Sequence, residues 1–180
     1  GKYGVKEAAK FGQSTIIVHN PEITDSKVNE DVAFLGIDPG KFIEPKVIEG
    51  KQLSKDDLFG VIIDQSLAEK GYDIGDTIEV KSSEINLEVV GITKGETFNH
   101  LPTVFTNVET WQSYAFAAPG SDNGLESPVA MIALQGKNID ADAISSNYDF
   151  IETVTKSEAV MGMPGYKEES ATIYMMLAFL

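Results

Sequence analysis

The stretch Gly60–Ile92, GVIIDQSLAEKGYDIGDTIEVKSSEINLEVVGI, carries local signals that all agree. Val61, Ile62 and Ile63 form an apolar, β-branched run too short for a helix, so they read as a strand. Asp64 follows as an N-cap, and Ser66 to Glu69 offers a second, capping-box start for the same short helix. Gly71 stands where that helix needs a residue able to turn left-handed at its end. In Asp73 to Asp76 (DIGD), Gly75 occupies the turn position that needs positive φ. Alternation then begins, with Ile78 and Val80 set against Thr77, Glu79 and Lys81. Ser82 to Glu84 turns the chain. Ile85, Leu87 and Val89 return it, and the opposite face becomes apolar at Val90 and Ile92 around a bulge expected at Gly91. The hairpin should therefore be covered on both faces near its end.

On the N-terminal side, Val5 to Lys10 (VKEAAK) reads as the end of a helix and Ser14 to Asn20 as a strand centred on Ile16 to Val18, stopped by Pro21. A polar connector, Glu22 to Asp31, leads to a second strand at Val32 to Ile37, ended by Asp38-Pro39-Gly40. Phe42 to Ile48 adds a short extended segment. On the C-terminal side the loop GETFNHLP leads to a strand at Thr103 to Thr106 and a helix over Val108 to Ala115, with Asn107 as its cap and Trp111 as a core anchor. Ala117 to Pro128 has no period. Val129 to Leu134 reads as a buried strand, Asp140 to Ser146 as a short helix and Phe150 to Thr155 as a strand. Strands and helices interleaved in this way predict an α+β fold, with a mixed, mainly antiparallel sheet and short helices.

Composition narrows the function. A chain of 180 residues suits one domain, with room for two lobes, and 42% hydrophobic content is that of a globular protein. Lys and Arg number 14 against 28 Asp and Glu, and the formal charge of −14 argues against nucleic acid or an anionic membrane surface as an electrostatic partner. With no cysteine, disulfides, thiolate metal sites and a Cys nucleophile are all excluded. The chain opens with neither an initiator Met nor the zones of a signal peptide and reads as a piece of something longer.

Catalytic patterns are missing. His19 and His100 lack the spacing of a zinc site and read as structural or surface residues. No G-x-S-x-G, P-loop or G-x-G-x-x-G occurs. Ser66 near Glu69 and Lys70 reads as a cap beside solvated charges rather than a nucleophile. The acidic pairs Asp56 and Asp57, Asp122 and Glu126, and Glu168 and Glu169 lack the ligand spacing of a calcium loop. Met161, Met163, Met175 and Met176 gather near Tyr166 and the last acidic pair, and such groups can ligate haem iron. The reading adopted is plainer: a turn at Met163-Pro164-Gly165 and an apolar helix containing Met175 and Met176. No catalytic, metal or cofactor-binding residue is assigned, and no cofactor is expected.

The combination VIIDQSLAEKGYDIGDTIEV … LEVVGIT, preceded by VIEGKQLS, resembles the extracytoplasmic core domain of MacB/FtsX-type ABC transporter permeases over about Val47 to Thr93. VAFLGIDPGKF upstream also sits where the family would have it, and the nearest branch is that of Gram-positive haem-exporter-like permeases. The resemblance implies a non-enzymatic domain on the outer side of the cell membrane, residues 1–170, in a permease that dimerises and works with a cytoplasmic ATPase. Ala171 to Leu180 (ATIYMMLAFL) is uncharged and too short to span a bilayer, which takes roughly 20 apolar residues. Composition alone reads it as a core helix, whereas the resemblance makes it the truncated start of a transmembrane helix, with Lys167 to Leu180 one continuous helix. The domain would couple ATP-driven movement of membrane helices to export of a lipophilic substrate, or to an external partner. The rivals are a free-standing hydrolase on a small β-barrel and a ligand-binding module.

Overall fold

Burial alternates at a two-residue period over residues 77–80 and 86–89 and is continuous over 32–37, 60–64 and 103–107, and in the computed structural model all of these segments are strands. The structure describes residues 2–23, 29–148 and 151–161. After a 3-10 turn at Lys2–Gly4 come β1 (Val5–His19), β2 (Glu30–Ile37), β3 (Val47–Gly50), β4 (Gly60–Asp64), α1 (Gln65–Ala68), β5 (Thr77–Val80) and β6 (Asn86–Thr93). They are followed by β7 (Thr97–Phe98), β8 (Leu101–Asn107), α2 (Val108–Ala115), β9 (Met131–Gly136), α3 (Ala141–Asn147) and α4 (Lys156–Met161). The fold class is α+β, and the sheet is mixed and mostly antiparallel.

The sheet closes. Its order runs β2-β1-β5-β6-β4-β8, and β8 pairs in parallel with β2, so six strands form a ring. The other parallel contact, β4 with β6, is made possible by the crossover through α1 and β5. Opposite parities of the strands build two cores, which is the signature of a sheet with both faces covered. Val32 and Phe34 of β2, Val61 and Ile63 of β4, and Val104 of β8 join Ile16, Val18, Ile78, Val80, Leu87, Val89 and Leu67 in one cluster. Ala33, Leu35, Ile37, Ile62 and Phe105 face the other way and pack with Leu53 and Val90.

The central stretch follows its sequence closely. Asp64 caps α1, accepting from the Ser66 N–H at 3.0 Å, and Gly71 and Gly75 have φ of 94° and 97°. Val61 pairs with Val89 but Ile62 with Gly91, so Val90 and Gly91 oppose a single residue: this is the expected bulge. A Cβ on Gly91 would stand 2.5 Å from the Lys51 carbonyl oxygen, hence the glycine. Residues 89–93 are all buried.

Elsewhere the structure corrects several expectations. Val5–Lys10 is not helical but the first part of the 15-residue β1. A single helical turn is marginal by itself, and here burial of Ala9 and a 2.7 Å bond from the Lys10 N–H to the Asp38 carboxylate favour the extended chain. β9 is a strand but mostly exposed, with Met131 and Ile132 at its surface, because a short apolar run does not reveal whether anything covers it. Residues 151–155 are irregular rather than a strand. Thr155 and Glu158 instead bond reciprocally, the Thr155 N–H to the Glu158 carboxylate at 2.7 Å and the Glu158 N–H to the Thr155 hydroxyl at 3.2 Å, a capping box for α4. The loop GETFNHLP holds β7, hairpinned to β8 through Asn99 and His100, both at positive φ. The readings on residues 162–180, among them the C-terminal helix and Met163, Met175 and Met176, lie outside the described residues.

The chain divides into two compact units. One takes the described residues of 1–6 and 136–180, the other Glu7–Gln135, which contains the closed ring.

Candidate functional site

In the larger unit the loop from Lys51 to Phe59 is tied down by side chains of the β8–α2 junction. The Asn107 amide donates to the carbonyls of Ser54 at 2.9 Å and Asp57 at 2.5 Å. The Thr110 hydroxyl donates to the Leu58 carbonyl, and the Asp57 carboxylate accepts from the Gly60 N–H at 3.1 Å. At the loop's two ends, the Lys51 N–H donates to the Val90 carbonyl and the Glu88 N–H to the Phe59 carbonyl, each at 2.9 Å. Asn107 is therefore not the side-chain cap expected of α2; its amide serves the loop, and its Oδ1 is buried without a partner among the described residues.

A fixed loop sets its side chains. Leu53 turns inward and is buried, while Leu58 and Phe59 turn out, 42% and 57% exposed. With Glu84 and Ile85 of the β5–β6 turn, Asn86 at the start of β6, and Glu109, Thr110 and Ser113 of α2, they line an open groove of about 510 Å³. Glu84 and Glu109 form no ion pair among the described residues. The lining is mostly apolar, includes the two carboxylates and holds no cation. Nothing in the sequence pattern marks it, since Leu58 and Phe59 look like ordinary core residues.

Trp111 is the core anchor its sequence setting suggests. It is 3% exposed, its ring N–H donates to the Ser14 hydroxyl at 3.0 Å, and Phe116 meets it edge to face at 5.6 Å. Gly12 and Gly36, paired across β1 and β2, are its seat: a Cβ on either would fall within 2.1 Å and 2.4 Å of the Trp111 side chain.

The residues weighed for chemistry are dispersed into structural roles. Ser66 donates its hydroxyl to the capping Asp64 at 2.6 Å, Glu69 accepts from Gln65, and Lys70 pairs with Glu30. Asp57 closes its loop, Asp56 is exposed beside it, and Asp122 accepts from the Gly124 N–H in a surface turn that also carries the exposed Glu126. His19 lies on β1 opposite Glu79, and His100 is at the β7–β8 turn. Among the described residues no group of three or more His, Asp and Glu side chains is placed to hold a metal ion.

No protein-family model matches the chain, and no curated protein does. Solved structures do. The extracellular domain of the noncanonic ABC-type transporter YknZ from Gram-positive bacteria is similar with a TM-score of 0.56 at 18% identity, over 81% of this chain and 72% of that one. The periplasmic region of MacB from Actinobacillus actinomycetemcomitans gives 0.53 at 12%, over 82% and 65%. A domain from Porphyromonas gingivalis, of a protein named as a permease, gives 0.54 at 15%, over 80% and 67%. The fold is that of the extracytoplasmic domains of ABC transporter permeases. Identity this low carries the architecture of this MacB-like fold rather than any individual side chain. The groove lined by Glu84 and Glu109 is described from this chain alone.

Proposed function

We propose that this MacB-like domain is the extracytoplasmic part of an ABC transporter permease subunit, working mechanically rather than chemically. The observation that carries the reading is the likeness in fold to the extracellular domain of YknZ, the periplasmic region of MacB and the permease domain, over about four fifths of this chain. In this reading a cytoplasmic ATPase drives the membrane helices. The domain, on the outer side and paired with a second copy, transmits that movement to a lipophilic substrate leaving the membrane or to an external partner. No helix among the described residues is long and apolar enough to cross a membrane.

The test uses the full-length permease with its ATPase in lipid nanodiscs. Lys94, exposed after β6, becomes a spin-label site as Lys94→Cys in a chain region without other cysteines. The distance between the two labels should change between the nucleotide-free and ATP-bound states. A distance distribution that is the same in both states would contradict mechanical coupling.

A further inference from the structure

We infer that the groove between the Lys51–Phe59 loop, the β5–β6 turn and α2 is a docking site for a cationic amphipathic peptide segment, one apolar side chain on its apolar lining and Lys or Arg over Glu84 and Glu109. This deepens the external-partner part of the proposed function and rests on it. Leu58 and Phe59 supply exposed apolar surface, and Ile85 and the carboxylates of Glu84 and Glu109 line the same groove. An exposed aromatic in a groove with two carboxylates fits an anchor residue flanked by positive charge.

Two features select this occupant. The lining holds two carboxylates and no cation, and Lys55 and Lys81, the lysines nearest in sequence, do not contribute to it. A second copy of this chain, also carrying −14, would bring like charge to those carboxylates, and an anionic lipid surface would do the same. Preorganisation is the other feature. Asn107, Thr110 and Asp57 hold the loop by side-chain bonds, so Phe59 is displayed without the ordering cost that a mobile loop would impose on binding.

The probe is a 14-residue helical peptide with Leu and Phe on one face and Lys on the other, compared with a counterpart in which each Lys is Glu. Backbone amide shifts of the full 180-residue chain should move at Phe59, Ile85, Asn86, Glu109 and Ser113 with the Lys peptide only. Binding should weaken at least tenfold in Phe59→Ser and in the double variant Glu84→Gln/Glu109→Gln, each shown by circular dichroism to melt as the parent does. If Phe59→Ser does not fold, the double variant decides. Equal binding of the two peptides, shifts spread over the acidic surface, or unchanged affinity in the double variant would overturn the proposal. Shifts at these residues that depend on protein concentration without peptide would overturn it too, in favour of self-association. The nucleotide-dependent label distance is measured independently, so either idea can fail alone.

Discussion

At the scale of single residues, Trp111 shows how a core is specified by what is left out. Its indole rests on Gly12 and Gly36, so Trp111→Ala would open a large cavity and should cost about 3–5 kcal/mol in denaturant unfolding. Gly12→Ala should cost about 1–3 kcal/mol by overpacking, since the new methyl would meet the ring. Equal stability of Gly12→Ala and the parent would refute the seat. Trp111 as an anchor was legible from its helix, but the seat was not: a glycine in a strand announces close approach without naming the visitor. Tyr72 gives a pH test. Burial first, and then nearby Glu30, raise its phenol above the usual 10.0, although the Asn20 backbone partly offsets this. The folded chain therefore holds that proton longer than the unfolded chain, and its contribution is present below pH 10.0 and lost as pH climbs through the folded value. Stability should fall across that alkaline range, and Tyr72→Phe should flatten the slope in melts followed against pH.

At the scale of elements, the hairpin of β5 and β6 was readable because its alternation, turn and bulge all point one way. Leu87 is fully buried and Glu79 is exposed, so Leu87→Asp should unfold the domain or cost several kcal/mol, about 3 or more, while Glu79→Gln should stay within about 0.5. Matching melting temperatures for the two variants would mean the faces are reversed. The loop before β4 depends on contacts that no local pattern encodes. Asn107 reads as a cap, yet its amide reaches about fifty residues back to Ser54 and Asp57. Asn107→Ala should cost about 1–3 kcal/mol and speed amide exchange across the loop, whereas a silent substitution would mean the loop is held by packing alone. The capping box of α4, Thr155 with Glu158, was written plainly as T-x-x-E but was overridden by the alternation that precedes it.

At the scale of the whole molecule, the α+β class and most strands follow from periodicity, but the closed ring does not. Closure rests on β2 pairing with β8, Ala33 beside Thr103, a contact between strands far apart in the chain. Alternation says which face is buried, never which distant strand lies alongside. The exposed acidic groove was hidden for a related reason, since Leu58 and Phe59 carry the same letters whether they are buried or displayed. The resemblance over about Val47 to Thr93 and the likeness in fold to permease domains are what support the proposed placement outside the cell membrane. The most direct measurement of that placement is labelling of Lys94→Cys in the full-length protein, in intact cells, with a membrane-impermeant maleimide. The account predicts labelling equal to that after permeabilisation, with the protein in the membrane fraction. Labelling only after permeabilisation, or recovery of the protein in the soluble fraction of lysed cells, would contradict it.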